Sequence, residues 1–138
     1  MNQRQLEFGR IQEAFLMDFP ELREAIENEF KLDFDFEREM PGAYLVFEDV
    51  VKKLVFKLLD TDENQILLAR LFRFFEEMAN ASDPNVSRDL LGIAILEPLV
   101  ARGESVCRAW KYMGPTMKEM ARAEAVSQGR PDSVSPDS

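Results

Sequence analysis

Apolar residues recur every three or four positions along most of the chain, and sustained alternation of apolar and polar residues is rare. Such spacing is typical of amphipathic helices, because about 3.6 residues make one helical turn. It predicts helices over residues 3–17, 20–30, 43–59, 63–79, 86–100, 104–112 and 116–126. We therefore predict an all-α fold, which is either an irregular multi-helix bundle or a HEAT-like antiparallel helix array.

Polar residues mark the expected starts of two helices. Asp18 and Glu21 are spaced as a capping box, in which each side chain bonds a backbone N–H at the helix start. Asp62 and Gln65 have the same spacing before the helix predicted at 63–79. We therefore expect Asp18 and Asp62 to be the N-caps of the helices that follow them.

Two segments depart from the simple helical pattern. Pro98 falls inside the helix predicted at 86–100, and we expect it to kink that helix or end it early, because proline lacks a backbone N–H. Residues 32–37 alternate between apolar and acidic side chains. This alternation predicts a short strand or an extended loop between the second and third helices.

The composition of the chain favours a single folded unit with a tail. A chain of 138 residues with 46% hydrophobic content is long enough to bury one core. Residues 127–138 are mainly Ser, Pro and Asp, and such a segment cannot bury enough apolar surface to order itself. We therefore predict a helical domain over residues 1–126 and a disordered tail over residues 127–138.

Few residues suit catalysis or metal binding. The chain has no His and one Cys, so the common zinc sites and the Ser/His and Cys/His catalytic pairs are excluded. We expect Cys107 to be a buried or half-buried structural thiol. The carboxylate pairs Glu76–Glu77 and Glu48–Asp49 could act as paired acids or bind a hard cation, but we expect them to face water. We predict a protein that is not an enzyme and has no metal and no cofactor.

The negative charge is concentrated in one part of the chain. The whole sequence has 17 Lys and Arg against 26 Asp and Glu, a net charge of −9. Residues 18–49 contain 11 of the acids and three bases, whereas residues 101–138 contain five acids and six bases. The acidic part also carries aromatic residues, which predicts a docking face for a basic partner. The candidate partner-binding residues are Asp33, Phe34, Asp35, Phe36, Glu37, Glu39, Tyr44, Glu48 and Asp49.

The acidic segment also has a simpler interpretation. Its carboxylates could form a solvated surface, with the phenylalanines holding the loop against the core. Both interpretations stay open from the sequence.

Charge and hydropathy also indicate a location and a class of partner. The N-terminus, Met1–Glu7, lacks the apolar region of a signal peptide, and no apolar run reaches the roughly 18 residues that span a bilayer. We expect a cytoplasmic protein without a membrane partner. A net charge of −9 repels phosphate backbones, so we expect a basic protein partner and no nucleic acid.

Three stretches resemble a family of short helical bacterial proteins that share a domain of unknown function. The stretches are Phe74–Asn80, Asp89–Glu97 and Tyr112–Thr116, and the resemblance covers residues 18–124. It brings no established activity. Small acidic helical proteins of this kind are frequent among immunity proteins of bacterial toxin systems, so the resemblance implies that class by association. We expect Glu97 and Tyr112 to hydrogen-bond backbone groups at helix junctions, or Glu97 to be a buried functional acid.

These observations lead to one functional hypothesis and two rivals. The leading hypothesis is an immunity protein that covers the basic active surface of a cognate, nuclease-type bacterial toxin. The first rival is a nucleic-acid mimic or regulatory adaptor that binds a basic DNA-binding protein. The second rival is an enzyme that uses only carboxylates, Tyr and Lys. The sequence shows no activated nucleophile or general base that would support this hypothesis.

Overall fold

The computed structural model describes residues 11–32, 35, 41–81 and 84–131. Within these ranges the chain forms seven helices and no strand, which confirms the predicted all-α fold. Helix α1 is Ile11–Asp18, and α2 begins with the 3₁₀ turn Pro20–Leu22 and continues as Arg23–Phe30. The remaining helices are α3 at 43–61, α4 at Gln65–Ala79, α5 at 84–101, α6 at Gly103–Ala109 with a 3₁₀ turn at Trp110–Tyr112, and α7 at Pro115–Ser127.

Most of the alternating segment at 32–37 lies outside the described residues. Leu32 is in a turn after α2, and Asp35 has no regular structure. The prediction of a strand or loop there therefore stays a prediction, as does that of a tail at 127–138, of which residues 132–138 lie outside the described part.

Helix α4 lies at the centre of the core. It packs against α3, α5, α7 and the 3₁₀ turn after α6. Helices with neighbours on several sides must be apolar over a broad face, and α4 has that composition. Its buried residues are Leu67, Leu68, Leu71, Phe72, Phe74, Phe75, Met78 and Ala79.

Aromatic side chains join α1 to this centre. The Phe15 ring of α1 stacks on Phe19 with 4.6 Å between centroids, and lies 5.4 Å from Phe47 and 5.3 Å from Phe74. The contact with Phe74 is edge-to-face, a geometry favoured by the charge distribution of aromatic rings. All four rings are buried, so α1, α3 and α4 share one apolar cluster.

Two of the long helices contain a π turn. The π turns are Phe47–Val51 in α3 and Gly92–Leu96 in α5, and they pack against each other. A π turn pairs each N–H with the carbonyl five residues earlier, which widens the helix locally. Here the N–H of Glu97 donates to the carbonyl of Gly92.

The π turn of α5 explains why Pro98 does not end the helix early, and the alternative expectation of a kink stays a prediction. The helix continues past Pro98 to Ala101. In a regular α-helix the proline ring crowds the carbonyl four residues earlier. We attribute the tolerance of Pro98 to the wide turn directly before it, which relieves this crowding.

The start of α2 differs from the predicted capping box. Asp18 is the last residue of α1, and the N-cap of the 3₁₀ turn is Phe19, without a side-chain bond. The Glu21 carboxylate instead accepts a hydrogen bond from Arg70 of α4. This bond is the main reason why the pKa of Glu21 is lowered. Arg70 also donates to the Asp18 carbonyl at 2.6 Å, and so ties α4 to the α1–α2 junction.

The N-cap of α4 is Asn64 and not Asp62. The Asn64 side chain accepts a hydrogen bond from the backbone N–H of Leu67 at 3.1 Å. Asp62 is the C-cap that follows the last residue of α3, and it adopts a left-handed conformation with φ of 53°. Asn and Asp adopt such conformations more readily than other side chains with a Cβ. Different residues therefore cap the end of α3 and the start of α4, namely Asp62 and Asn64.

The carboxylate of Glu76 in α4 caps the N-terminus of α7. Its two oxygens accept hydrogen bonds from the backbone N–H groups of Thr116 and Met117, each at 2.9 Å. The first N–H groups of a helix have no partner within the helix, and a carboxylate there also interacts favourably with the helix dipole. The expectation that Glu76 simply faces water is therefore wrong, because Glu76 joins two helices.

Gly114 leaves the space that this cap requires. A Cβ at Gly114 would lie 2.4 Å from Cδ of Glu76. We expect Gly114→Ala to lower the free energy of unfolding by roughly 1–3 kcal/mol, because the carboxylate must move away from the helix N-terminus. Urea denaturation monitored by circular dichroism measures this loss.

A double-mutant cycle tests whether Glu76 is the cause. In a Glu76→Ala background the obstructing carboxylate is gone, so Gly114→Ala should cost less than it does in the wild-type chain. Gly103→Ala is the control, since no atom lies within 4 Å of a Cβ built there. An equal loss from Gly114→Ala in both backgrounds would contradict this explanation.

The Tyr112 hydroxyl is buried and has no hydrogen-bond partner among the described residues. The prediction that it bonds backbone is therefore wrong, because the ring packs beside Phe72 with its polar end enclosed. A buried hydroxyl without a partner costs desolvation free energy, so Tyr112→Phe should leave stability unchanged or raise it by up to about 1 kcal/mol. Chemical denaturation measures the change, and a clear loss of stability would show that the hydroxyl has a partner.

Candidate protein-binding surface

Four of the nine candidate partner-binding residues are described. Asp35 is exposed, and Tyr44 is half-buried on α3, where it packs against the core. Glu48 and Asp49 are partly exposed in the π turn of α3. The structure therefore places Tyr44, Glu48 and Asp49 on one helix. The other five residues lie outside the described part of the chain, namely Asp33, Phe34, Phe36, Glu37 and Glu39.

Helix α2 packs against the π turn of α3 and adds carboxylates to the same region. Its acids Glu24 and Glu29 are exposed and Glu27 is half-buried. The charge count over residues 18–49 included these acids, but the candidate list did not, because the packing of α2 on α3 is not visible in the sequence. We call Glu24, Glu27, Glu29, Glu48 and Asp49 the acidic surface.

Few of these carboxylates are neutralised within the described residues. Arg23 donates to Glu27 at 2.8 Å, in a pair one helical turn apart. For the other four acids of the acidic surface, the described part of the chain supplies no ion pair, although Lys52 follows Glu48 by one turn. Carboxylates that are not neutralised by an ion pair set up a negative potential that extends to about a Debye length from the surface.

Apolar side chains are exposed next to these acids. Leu45 of α3 is 42% exposed, one residue after Tyr44 and three before Glu48. Leu32, in the turn after α2, is 92% exposed. Single exposed leucines are common, but Leu45 follows half-buried Tyr44 on α3 and so gives the acidic surface an apolar component. Such a mixture of apolar and charged groups is typical of protein-binding surfaces.

Two other residues singled out in the sequence, Cys107 and Glu97, are both exposed. Cys107 is exposed, contrary to prediction, because α6 turns Ser105, Val106 and Ala109 to the core and Cys107 to the opposite side. Glu97 is exposed as well, so the buried functional acid is excluded. Its backbone carbonyl accepts a hydrogen bond from the Gln128 side chain at 2.9 Å.

The described ranges hold no group of three or more Cys, Asp or Glu residues arranged to bind a metal ion. None of the helices in these ranges is long and apolar enough to cross a membrane.

Comparison with known proteins identifies the family. No curated protein and no solved structure matches the chain at a significant level. The model of the domain of unknown function DUF7674 matches residues 13–128, the greater part of the sequence. The resemblance to a family with a domain of unknown function is thereby confirmed, and its association with toxin immunity stays a prediction. The chain belongs to the DUF7674 family.

Proposed function

We propose that this protein is a non-catalytic binding module that uses the acidic surface to bind a basic protein. The observation that carries the proposal is the packing of α2 against the π turn of α3, which combines the acids of two helices. Glu24, Glu29, Glu48 and Asp49 have no ion pair among the described residues, so their charge is available to a partner.

Lys and Arg side chains of a partner would neutralise these carboxylates. Opposite charges accelerate association, and exposed pairs contribute little to affinity because water screens them. Affinity therefore needs buried apolar contacts as well. Leu45 and the partly exposed ring of Tyr44 are placed to supply them next to Glu48.

We further propose that this basic partner is a cognate nuclease-type toxin, which the protein neutralises by binding it. A nuclease binds the phosphate backbone of its substrate, so its active surface is basic. A chain with a net charge of −9 and an acidic surface is complementary to such a surface. The exposed Leu45 and Leu32 favour one specific protein partner over a nucleic-acid mimic, because a mimic requires only the charges.

The test starts from the neighbouring gene. We expect the product of the gene directly upstream to be toxic alone, to co-purify with this protein and to lose toxicity when the two are produced together. A neighbour that is neither toxic nor bound would contradict the finer proposal.

Charge variants then test the acidic surface. With the bound partner, Glu48→Gln/Asp49→Asn should weaken binding at low salt by about tenfold, mainly through slower association. Asp89→Asn/Glu119→Gln is the matched control, since it removes two exposed acids from α5 and α7. Surface plasmon resonance measures both rates. An equal loss of affinity in the two variants would place the binding surface elsewhere.

A further inference from the structure

Arg70 of α4 contacts three residues where α1 ends and α2 begins. Its guanidinium donates hydrogen bonds to the Glu21 carboxylate, and to the backbone carbonyl of Asp18 at 2.6 Å. Its Cζ lies 4.8 Å from the centroid of the Phe19 ring. Hydrogen bonds between ionised groups are stronger than neutral ones, and a guanidinium is attracted to the face of an aromatic ring. Arg70 therefore fixes the point from which α2 starts.

Helix α2 has few buried side chains of its own. Of the eight residues Arg23–Phe30, Ile26 and Phe30 are buried. Outside its own 3₁₀ turn, α2 packs mainly against the π turn of α3 within the described residues. A helix of this length is unstable alone in water, because its few backbone hydrogen bonds do not offset the conformational entropy that ordering costs. The position of α2 on α3 therefore depends on these two side chains and on the contacts at its N-terminus.

Repulsion between like charges opposes the packing of α2 on α3. The packing brings the acids of the two helices into one region, namely Glu24, Glu27 and Glu29 from α2 and Glu48 and Asp49 from the π turn. Among these, the Glu27 carboxylate is paired with Arg23. Carboxylates on neighbouring helices repel one another, so the acids favour a position of α2 away from α3. The Arg70 contacts oppose this repulsion, and the cations of a basic partner would reduce it.

We propose that Arg70 is a positioning residue for partner binding, and that it holds α2 against α3 so that the acids of both helices face one basic partner. This inference rests on the proposed function, because it concerns the same acidic surface. A protein whose binding-competent conformation is only partly populated binds with an affinity reduced by that fraction. Loss of the Arg70 contacts therefore raises the population in which α2 lies away from α3, and weakens binding in proportion. Arg70 acts through α2 and not by contact with the partner.

Hydrogen–deuterium exchange of the full chain without a partner, measured by mass spectrometry, tests the effect on α2. We expect Arg70→Gln to accelerate exchange of the α2 backbone amides by about tenfold, because the helix opens more often. The amides of α7 are the internal reference, since Glu76 caps that helix independently of Arg70. Their exchange should change by less than about twofold, whereas a general loss of stability would accelerate exchange in both helices.

Arg73→Gln is the matched control. Arg73 is exposed on the same helix and has no ion pair in the described part of the chain. Its replacement changes the net charge as Arg70→Gln does, and should leave α2 exchange within about twofold of the wild-type rate. Circular dichroism checks that both variants fold. Should Arg70→Gln fail to fold, Arg70→Lys replaces it, with Arg73→Lys as control. Lys keeps the charge but lacks the planar fork that reaches Glu21 and Asp18 together, so the same direction is expected with a smaller change.

Binding of a fluorescently labelled decalysine peptide tests the effect on the acidic surface. Arg70→Gln and Arg73→Gln each remove one cation, so charge alone would make both variants bind this cationic peptide slightly more tightly. We expect Arg73→Gln to follow that trend, and Arg70→Gln to bind about threefold more weakly at low ionic strength, because less of the protein has α2 in place. The opposite sign separates a change in the position of α2 from a change in net charge. Fluorescence anisotropy measures both affinities.

The responses of α2 and of the acidic surface distinguish failure of this inference from failure of the proposed function. Unchanged α2 exchange in Arg70→Gln would overturn the inference, because α2 then needs no anchor. Faster exchange with decalysine binding equal to that of Arg73→Gln would overturn it as well, since binding then does not depend on where α2 lies. Equal decalysine binding by the wild-type chain and by Glu48→Gln/Asp49→Asn would overturn the proposed function, and the inference that rests on it, even where α2 exchange responds.

Discussion

The burial of α4 is the constraint on which the rest of the structure depends. Eight of its 15 residues are buried, and each large apolar side chain among them contributes about 1.5–3 kcal/mol when removed from water. Two polar residues of the same helix then hold neighbouring helices in position. Apolar contacts alone would allow these helices to shift along α4, because such contacts have no preferred direction. Arg70 holds the α1–α2 junction, and Glu76 holds the N-terminus of α7. Apolar contact sets which helices meet, and these directional bonds set how they are aligned.

The π turns have a related effect on α3 and α5. They face each other in the packed helices, so both helices are widened where they meet. The extra residue in a π turn shifts the side chains after it around the helix axis, and π turns occur often at functional sites for this reason. In α3 the turn contains Glu48 and Asp49 and contacts α2. The position of these acids therefore follows from the packing of the core.

The charges of the chain separate into two regions with different surroundings. The acidic surface is on α2 and α3, next to exposed Leu45. The basic region is around Trp110, where Lys118 and Arg122 lie over the ring. A surface that mixes carboxylates with exposed apolar side chains suits a protein partner.

The sequence by itself determined the helices and the location of the charge. Helical spacing predicted α3, α4 and α7 to within about two residues, because an amphipathic pattern reports burial on one face. It could not assign the partners of individual polar side chains. Whether Glu76 faces water, whether Cys107 is buried and whether Pro98 ends a helix depend on neighbours distant in sequence. Those outcomes were decided only by the tertiary structure, because a carboxylate, a thiol or a proline is compatible with several environments until the helices around it are packed.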